Sequence, residues 1–157
     1  KWLCLSHVTT EKPALSDNTM LDMINLKYNN YINENLVVIR EQILPVEARI
    51  ILGHAYFTIT CRMHSAVSSF QMGKPAICLS YSSKYKGVIA DGLKMNNLVI
   101  EAKNEELWKN EIVELVNNKI EYVEENYDDL KMKIRENVNN CKNIVEETLN
   151  EIATILK

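Results

Sequence analysis

The residues of this chain best suited to do chemistry on an anion are an arginine, a histidine and a lysine set at two turns. Cys61-Arg62-Met63-His64-Ser65 follows a short apolar, β-branched run and opens a helical pattern. A helix N-terminus carries N–H groups without intrahelical partners and a partial positive charge, so it favours anions. Cations placed there are unfavourable until an anion joins them. Arg62 brings a planar fork that fits a carboxylate or a phosphate, and an imidazole such as that of His64 donates a hydrogen bond or moves a proton near neutral pH. By themselves the two residues read equally well as a structural ion pair and a satisfied polar side chain. A second loop, Tyr81-Ser82-Ser83-Lys84-Tyr85-Lys86-Gly87, adds hydroxyls, two ammonium groups and a glycine able to turn sharply or approach a ligand. One lysine-serine loop is usually solvated surface. Two basic loops on the same edge of one sheet imply a pocket for a small, multiply charged anion. His7 ends the first strand on that edge and reads either as a backbone-bonded residue or as part of the site. His54 precedes the third strand, on the opposite edge, and is expected to have no role.

That argument needs elements that bring the loops to one edge. The first two-thirds of the chain alternates short apolar runs with helical patterns, the mark of a parallel sheet covered by helices. Strands are expected at Trp2–Ser6, Leu36–Arg40, Tyr56–Thr60, Ala76–Ser80 and Leu98–Ile100. Ser16 is placed to cap the first helix, Pro45 to open the second, and Asn104 to cap one after the last strand. A helix runs from near Arg62 to Gly73, and a short one covers Gly87 to Lys94. From Asn104 onward there is no glycine or proline, and apolar residues from Ile120 to Ile152 recur at steps of three and four. This predicts one long helix, or two with a bend, whose stripe needs a partner surface. The fold class expected is α/β: a Rossmann-like parallel sheet of about five strands, helices on both faces and a long helical C-terminus. In such sheets ligands bind beyond the C-terminal strand ends, where both basic loops lie.

Composition bounds the rest. The 157 residues suffice for one core, and 46% apolar with 25% charged residues is ordinary for a globular domain. A net charge of −3 gives no electrostatic reason to expect nucleic acid. The four cysteines show no Cys-x-x-Cys spacing, so no metal site is expected. Three of them sit in or beside apolar runs, which points to a reducing, cytoplasmic setting. No apolar run is long enough for a transmembrane segment. The abrupt entry at Lys1-Trp2, without a signal peptide or initiator Met, reads as a piece of a longer protein.

Taken together, Arg62-x-His64-Ser65-Ala66, the small Ser68 and Ser69, Gly73-x-Pro75 and Tyr81-x-x-Lys84-x-x-Gly87 resemble the C-terminal signature of polysaccharide pyruvyl transferases. His7, Asp17 and Pro45-Val46-Glu47 extend the resemblance, which covers roughly residues 1–118; His54 departs from the small or acidic residue expected near its position. The family is similar to GT-B glycosyltransferases, with two Rossmann-like domains facing a cleft. Residues 1–157 would be the C-terminal domain, and a missing N-terminal domain would supply the other wall, leaving this piece inactive alone. The resemblance implies phosphoenolpyruvate as donor substrate, no cofactor, and a sugar or lipid-linked saccharide as acceptor. The product would be a pyruvate ketal in cell-surface polysaccharide or cell-wall biosynthesis, made in the cytoplasm or at the inner face of the membrane. On that reading Arg62 clamps the donor, His64 binds it or transfers a proton, and Lys84 neutralises phosphate. Tyr81, Ser82 and His7 complete the substrate-binding set.

Two other readings fit parts of the pattern. A nucleotide-sugar-binding half of a GT-B glycosyltransferase or epimerase would use a carboxylate such as Glu101 or Glu105 on ribose hydroxyls. A non-enzymatic module would use the basic pocket for a regulatory anion and the C-terminal stripe for assembly.

Overall fold

The computed structural model describes residues 1–13, 16–32, 34–41 and 43–156. The chain divides into two units, Lys1–Glu47 and Ala48–Lys157. Five strands and six α-helices are present among the described residues, and every strand pair is parallel. The class is α/β, as expected.

In the first unit β1 (Trp2–Leu5) and β2 (Leu36–Ile39) form a ladder with Leu3 opposite Val37. Parallel neighbours need a crossover, supplied here by α1 (Asp17–Lys27) and a 3₁₀ turn at Asn29–Tyr31. Ser16 stands at the N-cap in extended backbone, but its side chain makes no capping bond. The neighbouring carboxylate does the fastening instead: Asp17 Oδ2 accepts from the backbone N–H groups of His7 and Val8 at 3.0 and 2.8 Å. The chain leaving β1 is thereby tied to the start of α1. Arg40, just past β2, pairs with Asp22 of α1 at 2.5 Å. Helix α2 (Pro45–His54) begins at Pro45, and Glu47 Oε2 accepts from the Leu44 N–H at 2.7 Å, holding its first turn.

The second unit carries β3 (Thr58–Thr60), β4 (Ala76–Ser80) and β5 (Val99–Glu101) in the order β3-β4-β5. All five residues of β4 are buried. Since successive side chains leave a strand on opposite faces, both faces of this central strand are covered. Phe70, Ile77, Ile89, Leu98 and Ile134 are almost wholly enclosed, each contributing roughly 1.5–3 kcal/mol of burial. Helix α3 (Met63–Gln71) contributes Ala66, Ser69 and Phe70 to this core. Its small residues allow close approach to the sheet, and the buried Ser69 hydroxyl is satisfied by the Ser65 carbonyl at 3.1 Å and the Thr58 hydroxyl at 2.9 Å. Gly73 ends the helix at φ 72°, a left-handed position that suits glycine.

After β5, Asn104 caps α4 (Glu105–Asn110) by accepting from the Glu106 N–H at 2.9 Å. Then come α5 (Ile112–Glu125) and α6 (Tyr127–Ile155), the two-helix form of the expected C-terminus. Their stripe is buried at Val123, Leu130, Ile134 and Val138, whereas Ile144, Val145, Leu149 and Ile152 are exposed. Among the described residues, no helix is long and apolar enough to cross a membrane.

Two details differ from expectation. Among the described residues the five strands form a pair in the first unit and a triple in the second, where about five were expected in one sheet. Apolar runs identify strands, but the pairing of an edge depends on contacts distant in sequence. The expected short helix after β4 is a π-helical turn, Lys86–Gly92, so successive side chains are separated by a smaller angle per residue than in an α-helix. Gly87 lies in that turn, and a Cβ there would meet nothing within 4 Å, so close approach does not require glycine at this position.

Candidate active site

Strand β3 ends at Thr60, and two bonds shape the turn that follows. The Arg62 N–H donates to the Thr60 hydroxyl at 2.9 Å, and that hydroxyl reaches the Arg62 carbonyl at 3.4 Å. Arg62 is thus held in extended backbone as the N-cap residue of α3, where its carbonyl accepts from the N–H groups of Ser65 and Ala66. His64 is the second residue of the helix. Arg62 is half-buried and His64 is exposed.

The loop after β4 is drawn to this turn by a residue that sequence reasoning passed over. Tyr85 is buried and donates its hydroxyl to the backbone carbonyl of Cys61, a bond across 24 positions of sequence. Burial pushes the Tyr85 hydroxyl well above its ordinary value, with Tyr81, Cys78 and Cys61 acting in the same sense and the Arg62 guanidinium opposing them. The phenol therefore stays protonated and donating throughout the neutral range. Tyr81 packs edge-on against the Tyr85 ring at 5.8 Å and remains exposed. The two basic loops consequently meet at the C-terminal ends of β3 and β4, which links Arg62 and Tyr81 through Tyr85. Lys84 is exposed on the second loop. His7 lies in the first unit, exposed, with its backbone N–H on Asp17. His54 is exposed with Nδ1 2.8 Å from the Ile50 carbonyl.

Replacing Tyr85 by phenylalanine keeps the ring but removes this bond between the two loops. We expect a loss of about 1–2 kcal/mol, read as a lower urea midpoint at unchanged denaturant slope. An unaltered midpoint would show that the bond contributes nothing.

Beside this junction, between the ends of β4 and β5, lies a polar cavity of about 330 Å³. It takes Ser82 from the expected set, along with Ser83 and Lys86, but not Arg62, His64 or Lys84. Glu101 closes β5 and Lys103 follows two residues later, both on its wall. The rule that ligands gather past strand ends, applied to the fifth strand as well as to the others, would have pointed to Lys103. Among the described residues no three His, Cys, Asp or Glu side chains converge in a way that could hold a metal ion.

Comparison with known proteins gives one assignment. No curated protein and no solved structure matches the chain. The family model described as polysaccharide pyruvyl transferase matches residues 10–83, a span that includes α1, the Arg62-x-His64 turn, Gly73-x-Pro75 and the start of the second basic loop. The resemblance read from the Arg62 turn and the start of the second basic loop is thus supported over that span, a little under half of the chain, by the model of that family of transferases.

Proposed function

We propose that this chain is the donor-binding, C-terminal part of a two-domain enzyme that moves the pyruvyl group of phosphoenolpyruvate onto a sugar of a cell-surface polysaccharide, and that it works in the cytoplasm or at the inner face of the membrane. The observation that carries the reading is the junction at Tyr85 and Cys61, which sets an arginine at a helix N-terminus beside a second cationic loop. Phosphoenolpyruvate carries a carboxylate and a phosphate on the same carbon, so it calls for several donors at close range. Arg62 would take the carboxylate or phosphate bidentately, and Lys84 would neutralise the phosphate. Tyr81 remains as a substrate-binding candidate, Ser82 lies on the wall of the neighbouring cavity, and His7, in the first unit, is a candidate through the resemblance alone.

The reaction requires a proton at the methylene carbon and attack of one sugar hydroxyl on the central carbon. Phosphate then departs with the bonding pair, and a second hydroxyl closes the ketal ring. Two hydroxyl protons are released and one is consumed at carbon, leaving one for the phosphate or the medium. His64 is assigned to proton transfer, which general acid–base catalysis demands at this point. No cofactor is invoked.

The test is an assay of the full-length protein with phosphoenolpyruvate and a panel of lipid-linked and nucleotide-linked sugars, followed by phosphate release and product mass. Arg62→Ala is expected to weaken donor binding by about 2 kcal/mol or more, the cost of losing a charge-assisted contact. Product gaining no pyruvyl mass with any acceptor, or donor affinity indifferent to Arg62, would overturn the reading.

A further inference from the structure

We propose that the cavity between the ends of β4 and β5 is a separate binding site for a phosphorylated sugar. Its wall combines two kinds of group. Lys86 and Lys103 supply ammonium charges, while Asp91 and Glu101 supply carboxylates, with the hydroxyls of Ser82 and Ser83 also on the wall. Among the described residues, none of the four charged side chains forms an ion pair, so their charges are not consumed by one another. Val99 and Ala90 add a small apolar surface.

This mixture selects by chemistry. A simple dianion would meet Lys86 and Lys103 but also the repulsion of Asp91 and Glu101. A neutral sugar would give the carboxylates hydroxyl donors and leave both lysines without an anion. A pyranose bearing a phosphate satisfies both: phosphate oxygens toward the lysines, ring hydroxyls toward the carboxylates and serines, and C–H faces on Val99. The volume of about 330 Å³ lies at the small end of the usual range for ligand sites, roughly 300–1,000 Å³, which suits one sugar ring with its phosphate. The architecture agrees, since Ser80 and Glu101 face each other in the β4–β5 register at the C-terminal ends of parallel strands. The site does not depend on the donor reading of the Arg62 turn.

The experiment is calorimetric titration of the whole chain with glucose 1-phosphate, glucose, inorganic phosphate and phosphoenolpyruvate. Glucose 1-phosphate is expected to bind at least about tenfold more tightly than glucose or phosphate. Lys86→Gln and Lys103→Gln should each weaken it by about tenfold, the scale of one charge-assisted contact, and Glu101→Gln by less. Arg62→Ala should leave it unchanged, and phosphoenolpyruvate should not compete. Both lysines are exposed, so the variants should keep the wild-type melting temperature; should one misfold, the other carries the test. Any of three results overturns the proposal: no saturable binding at millimolar glucose 1-phosphate, inorganic phosphate binding equally well, or affinity surviving the double lysine substitution. Failure of phosphoenolpyruvate to bind anywhere would count against the donor reading and leave this site standing.

Discussion

Replacing His64 by alanine in the full-length enzyme is expected to lower the turnover of pyruvyl transfer by about 10²–10⁴-fold, the range that a positioned proton-transfer group supplies. The KM for phosphoenolpyruvate should change far less. The physical basis is the position of the residue. His64 is exposed in the first turn of α3, two residues after the Arg62 that caps the helix. A donor held on Arg62 and the helix N-terminus would lie within reach of the imidazole, while the bulk of its binding energy would come from the guanidinium and backbone. Loss of the imidazole should therefore reduce the rate of the protonation step without a comparable loss of the ground-state complex. Added imidazole should restore part of the rate. A variant whose KM rises with turnover intact would reassign His64 to binding, and one that matches wild type would remove it from the mechanism.

The second large effect is on stability at high pH. Cys78 lies in the middle of β4, wholly buried, and burial pushes its thiol from 9.0 up to about 12. The folded chain keeps this proton where the unfolded chain has lost it. Folding stability is thus unaffected below pH 9 and falls as pH rises from 9 toward 12. The limiting slope for one group is about 1.4 kcal/mol per pH unit, so the loss reaches about 4 kcal/mol by pH 12. That is a large part of the roughly 5–15 kcal/mol that holds a domain together. Tyr85, raised mainly by burial, acts in the same direction once its unfolded form begins to ionise above pH 10. Urea unfolding from pH 8 to pH 11 should show the decline in wild type. Cys78→Ala should start lower, because of the small cavity, but fall less steeply, so that the two curves converge. Parallel curves would show that Cys78 is not the titrating group.

Local chemistry accounts for most of what could be read from the residues alone. The Leu36–Ile39 and Ala76–Ser80 runs are apolar and rich in strand-forming residues, and both are strands. Pro45 and Asn104 mark helix starts through a preset φ and a side-chain oxygen, neither of which depends on distant parts of the chain. The Arg62-x-His64 turn was legible for the same reason, since an apolar run passing into a helical pattern places its first residues at the helix N-terminus.

What remained hidden depends on residues far apart in sequence. Tyr85 looked like one tyrosine among seven, and nothing near it indicates that its hydroxyl reaches Cys61. That Lys86 and not Lys84 stands on the cavity wall is decided by how the loop after β4 packs beside β5, which no lysine spacing announces. Glu101 and Lys103 join Ser82 because β5 pairs with β4 in the register that sets Ser80 opposite Glu101. The stripe of α6 was visible in full, yet its first half is covered and its second half is not. Periodicity records which face is apolar. Only the tertiary structure decides how far a core extends along that face, because burial is a property of the neighbours as much as of the helix itself.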